Sequence, residues 1–205
     1  MQNSLQHSHA ITILGAILVD LLDPYVAYCL PYHSLDRNLI LTALAIHDVG
    51  EGEIKKDTLY IDKTPDGDLE EYFAFRERYA RLGPRSFEPL HRAFLLQFTF
   101  KDPEVFPPDA CHEIQRLGQT HLYEALAFDA IERWDYVLYA LEQYHERGNE
   151  KILVQTLRNQ IPHFERLTEK LPGFSQTIWT QEISLWTNDF LSAHEGEWIE
   201  QKGEV

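Results

Sequence analysis

The chain has 205 residues, 44% of them hydrophobic and 12% aromatic, enough apolar side chain to build one core and to exclude a mainly disordered protein. A formal charge of −15 opposes adhesion to duplex nucleic acid or to an anionic membrane. The two cysteines, Cys29 and Cys111, supply neither a thiolate zinc site nor a disulfide framework, so a cytoplasmic protein is expected.

The polar start, residues 1–9, lacks basic side chains and does not resemble a signal peptide. Apolar residues then crowd 8–22, which predicts a buried helix ended by Asp23-Pro24; at about 13 residues its apolar stretch falls short of a bilayer span. Ser34 or Asp36 caps a second helix carrying Leu39, Ile40, Leu41, Leu44 and Ile46, which ends near Gly50. Pro65 and Gly67 mark a loop before helical periodicity over 70–82, and a further helix is expected over 88–100. Pro103, Pro107 and Pro108 break regular structure, after which 109–144 reads as strongly helical, with an apolar stripe through Leu126, Ile131, Trp134, Leu138 and Leu141. Helices over 150–171, with Pro162 as a possible kink, and over 177–192 complete the chain before a polar tail from Glu195. The expectation is one all-α domain spanning 1–205, with 150–205 a C-terminal helical extension and tail. Trp179 and Trp186 read as core at helical spacing, whereas Trp198 in the polar tail is the better interface candidate. Association through the C-terminal helices would make a homodimer.

The most informative residues are His47-Asp48, at the end of an apolar helix and followed by Val49-Gly50-Glu51. Neighbouring side chains on a regular helix diverge by about 100°. They converge on one ion only if the helix ends or distorts, which Gly50 and Gly52 allow. Imidazole with carboxylate suits Mn, Fe, Co, Ni or Zn rather than Mg or Ca. A His-Asp pair alone equally suits a satisfied helix end.

The order Gln6-His7-Ser8, then Ala45-Ile46-His47-Asp48-Val49-Gly50-Glu51, then Ile131-Glu132-Arg133-Trp134-Asp135 resembles the HD-domain superfamily of metal-dependent phosphohydrolases. The likeness is greatest to its compact 5'-deoxynucleotidase branch and covers roughly residues 5–148. It implies an HD-type helical bundle of about six to eight helices and a divalent transition metal held by His7, His47, Asp48 and Glu132. It also implies hydrolysis of a small phosphomonoester, most plausibly a nucleoside monophosphate, by a metal-activated water. His9 is the alternative first histidine. Glu51 takes the position that orients or activates the water, and Asp57 matches a further acidic residue of the branch, although Lys55-Lys56 replaces the local pattern there. Glu53 reads as a solvated acid. Glu132 stands where the family has the shorter Asp, and Asp129 and Asp135, three residues to either side, compete with it. Lys55, Lys56, Arg76, Arg78 and Arg133 are candidate phosphate contacts, Arg133 foremost. Of the remaining histidines, His121 stands out: facing a cavity, it would support a second metal or touch substrate. The competing class is an HD-like scaffold without catalysis, used for ligand sensing or protein association.

Overall fold

The computed structural model describes residues 4–31, 33–54 and 64–196. Among them there is no strand. The α-helices are α1 (Ser4–Cys29), α2 (Arg37–Ile46), α3 (Val49–Ile54), α4 (Pro65–Tyr79), α5 (Pro84–Leu95), α6 (Pro108–Thr120), α7 (Leu122–Arg147), α8 (Glu150–Lys170), α9 (Phe174–Thr177) and α10 (Gln181–Ala193), with single 3-10 turns after α5 and before α6. The expected all-α architecture is present.

Local chemistry explains most boundaries. Asp36 accepts from Leu39 N–H and starts α2. Thr64 accepts from Gly67 N–H and, with Pro65 in the first turn, starts α4. Gly148 adopts a left-handed φ of 65° and closes α7.

The Asp23-Pro24 stop does not hold: α1 continues through Pro24 to Cys29. Asp23 instead accepts from Ser34 Oγ (3.0 Å) and Leu35 N–H (2.7 Å), which fastens the α1–α2 connection, while Val26 beyond the proline is fully buried. Tertiary packing outweighs the one backbone bond that a proline deletes. The extension also overturns the length argument, because residues His7–Cys29 form a helical segment long and apolar enough to cross a membrane, with one third of its apolar window buried. Ile11, Leu18, Val19, Leu22 and Val26 face the core, while Ile13, Ile17, Leu21, Tyr25 and Tyr28 are exposed. The stretch 109–144 is likewise two helices, parted at His121, whose φ of −133° leaves the helical region.

Helix α7 is the spine. It packs on α8, α1 and α2, and every residue from Glu124 to Ile131 is buried, as a helix surrounded on all sides requires. Aromatic rings fill the spaces: Phe75 stacks on Phe94 at 4.0 Å, and Phe164 lies 4.6 Å from Trp179. Trp179 is core as expected, but Trp186 is 44% exposed and stacks on Phe190, because α10 touches little beyond α8. Trp198 lies outside the described residues.

Candidate metal centre

Helix α2 ends at Ile46 and α3 begins at Val49, so His47 and Asp48 form the turn between them. His47 N–H still bonds to Ala43 O (2.9 Å), and Gly52 N–H already bonds to Asp48 O (3.0 Å). His47 itself keeps helical dihedrals (φ −57°, ψ −38°), and its ring nonetheless meets the Asp48 carboxylate. Gly50 makes the turn possible from the other side: a Cβ there would stand 2.5 Å from Glu71 O on α4. Only glycine lets α3 lie that close.

Three side chains offer ligand atoms all within 4.8 Å of one another: His7 from the start of α1, His47 and Asp48. His47 is buried. Its Nδ1 lies 2.9 Å from Leu44 O, and a carbonyl only accepts, so Nδ1 carries a proton and Nε2 is the nitrogen left to offer a lone pair from the neutral ring. That Nε2 is 3.0 Å from Asp48 Oδ1. His7 repeats the arrangement. Its Nδ1 faces Asp135 Oδ2 at 3.2 Å, and its Nε2 faces Asp48 Oδ2 at 3.5 Å. With the Nδ1 proton given to Asp135, a neutral His7 also presents a lone pair to Asp48. With both rings neutral, two lone pairs and one carboxylate would converge, the donor set that a borderline divalent cation accepts. Burial disfavours the imidazolium at His7, but the Asp135 hydrogen bond and then the charges of Asp48, Asp135 and Glu132 prevail, raising its pKa above the ordinary 6.5. Positive charge is favoured at this point.

The remaining site residues fall into three groups. Glu132 and Glu51 border the centre: with Asp48 they act on Tyr136, whose phenol is held well above its usual pKa of 10, first by burial and then by these charges. The hydroxyl keeps its proton and donates to Glu132 Oε1 at 3.3 Å. Tyr136 was not singled out from the sequence, although its place one helical turn after Glu132 is the signal that would have found it. Asp135 makes the direct contact with His7, and Glu132 lies outside the close set.

A second group is committed elsewhere. Asp129 Oδ1 accepts from Arg133 Nε at 2.8 Å and Oδ2 from Arg166 at 2.5 Å; Arg133 also donates to Gln160 Oε1 at 3.0 Å. The foremost phosphate candidate, Arg133, is thus buried in a bridge between α7 and α8, and Asp129 is withdrawn from the competition for metal. Arg76 pairs with Asp109 (3.1 Å), and Arg78 with Glu53 (3.4 Å), which keeps Glu53 at the surface. His9 is exposed. The third group, Asp57 with Lys55 and Lys56, lies outside the described residues.

Comparison with family models, curated proteins and solved structures finds no match.

Proposed function

We propose that this protein is an HD-type, metal-dependent phosphohydrolase acting on a small phosphomonoester, with a nucleoside monophosphate as the leading substrate class. The observation that carries the reading is the convergence of the Nε2 atoms of His7 and His47 on the carboxylate of Asp48. His7, His47 and Asp48 hold the ion. Asp135 acts on the far nitrogen of His7 and Leu44 O on that of His47, so both rings are fixed in tautomer and orientation. This leaves Glu132 as the fourth protein ligand, steadied by Tyr136.

A divalent transition ion bound there supplies a Lewis acid and an acidic water near neutral pH. Glu51, one turn after Asp48, accepts the proton that leaves the attacking water. The Tyr136 hydroxyl keeps Glu132 from turning away. The excess of carboxylates around the centre matches a site built for cation and substrate together, since phosphate alone would be repelled. Binding is coupled to protons: an imidazole that holds its proton more firmly gives it up to the ion less readily as pH falls.

Elemental analysis of chain purified without a metal-affinity tag, wild type beside His47→Ala, tests the reading, followed by a nucleoside-monophosphate screen with Mn, Co and Ni. One transition ion per wild-type chain, lost in His47→Ala, with phosphate released only by the loaded wild type, is the expected result. Absence of metal after supplementation overturns it in favour of an HD-like scaffold without catalysis.

A further inference from the structure

A cavity of about 770 Å³ lies between α2, α5 and α6, and the first turn of each helix contributes to its wall: Asn38 on α2, Arg85 on α5 and Asp109 on α6. Aligned peptide dipoles make a helix amino end favourable to anions. That of α5 is the most open, since Gly83 gives it no side-chain cap and its first turn holds no acid. Three guanidiniums, those of Arg85, Arg92 and Arg116, stand in the same wall.

The wall also carries acids, most of them already committed. Glu113 accepts from Arg116 at 2.8 and 2.5 Å. Asp109 pairs with Arg76 at 3.1 Å, and Asp36 accepts from Leu39 N–H at 3.0 Å. Two guanidiniums remain. Arg85 is exposed and makes no hydrogen bond or ion pair among the described residues. One terminal nitrogen of Arg92 abuts His121 Nε2, but its Nε is buried without a hydrogen-bond partner, 3.9 Å from Glu113 Oε1. Glu88 opposes these two, itself without an ion-pair partner among the described residues. His91 adds no charge near neutral pH, because burial first, and then Arg76, lower its pKa below the ordinary 6.5.

We infer that this cavity is a second ligand site, which binds a small organic phosphate with Arg85 and Arg92 as its anchors. The two arginines are seven residues apart on α5, two turns, and so share one face of the helix. A guanidinium presents parallel donors to two phosphate oxygens. Two of them beside a helix amino end suit a dianion better than a carboxylate, which a single fork satisfies. The volume lies in the range of metabolite and cofactor pockets, so the phosphate is carried on a larger molecule, for which the Asn38 amide and the Thr42 hydroxyl supply polar contacts. None of His7, His47 and Asp48 lines the cavity. Leu39, which does, precedes His47 by eight residues, about 12 Å along a helix. The phosphate therefore sits apart from the metal centre, braced against the start of the helix whose end carries His47.

Calorimetric titration with inorganic phosphate, in EDTA and at fixed ionic strength, tests the site. The His47→Asn chain is used, so that failure of the metal-centre reading leaves the test intact. One phosphate per chain is expected to bind, and acetate far more weakly. Arg85→Leu and Arg92→Leu should each weaken phosphate binding about tenfold or more, whereas Glu88→Gln should tighten it. Arg147→Leu, which removes a guanidinium outside the cavity, should leave it unchanged. Circular dichroism verifies that each variant is folded, and Arg85, being exposed, can be replaced without disturbing the core. The proposal is overturned if phosphate does not bind at millimolar concentration or binds no better than acetate. It is equally overturned if Arg85→Leu and Arg92→Leu leave binding untouched, or if Arg147→Leu weakens it as much as they do.

Discussion

A single turn decides what His47 and Asp48 can do. Their types were legible in the sequence, as was the need for a helix end, because Gly50 and Gly52 follow them. The role of Asp135 was not legible, since it depends on where α1 brings the Nδ1 edge of His7, and no spacing within α7 encodes that. The burial of Arg133 was equally hidden: an arginine beside an acidic residue reads as a phosphate contact until Gln160 and Asp129 are seen to take its donors. Tyr136 gives this scale its test. Tyr136→Phe deletes the hydroxyl that steadies Glu132 while preserving the ring, so ion affinity should fall by about tenfold with the melting temperature of the metal-free chain nearly unchanged. Competition against a chelator measures the affinity, and an unaltered value would show that Glu132 is positioned without help.

Helix existence followed from apolar periodicity and capping residues, and those signals are local. The errors fell where a distant contact overrode a local stop. Pro24 lies inside α1 because Val26 and the residues around it are packed, whereas His121 breaks the helical run over 109–144 with neither glycine nor proline to announce it. Glycine carries a comparable message in the packing of α3 on α4. Gly50→Ala would set a methyl group against the Glu71 backbone, which cannot swing aside as a side chain can, and overpacking of this kind costs about 1–3 kcal/mol. Gly118→Ala, within α6, meets only Thr99 Cγ2 at 3.4 Å and should be neutral or stabilising by up to about 1 kcal/mol. Urea denaturation of both variants checks the contrast. Equal stability of the two would refute the close approach of α3 to α4, and with it the placement of Glu51.

At the level of the whole molecule, periodicity revealed which faces are buried but not against which partner, so the central place of α7 emerged only from the assembled bundle. The α7–α8 seam also sets an acid limit. Burial first, and then the charges of Arg133 and Arg166, lower the pKa of His163 from the ordinary 6.5 to about 4. The native chain thus keeps this imidazole neutral while the unfolded chain protonates it below pH 6.5. The stability from this source is complete above pH 6.5 and is lost progressively as pH falls from 6.5 toward 4. Melting temperatures of wild type and His163→Gln across that interval should show a shallower acid decline for the variant. Parallel curves would exclude the histidine as the cause.

The first helix has two apolar flanks, one turned inward through Ile11, Leu18 and Leu22 and the other outward through Ile13, Ile17 and Leu21. While α1 is docked, only the outer flank meets water. Should α1 undock, its inward flank would join the outer one as a single apolar surface, attractive to other chains and to lipid alike. An ion gripping His7 would close chain loops of roughly 40 and roughly 90 residues at once, acting as a latch on that rod. On the proposed reading, loss of such an ion would act twice, on the proposed chemistry and on the release of this apolar segment.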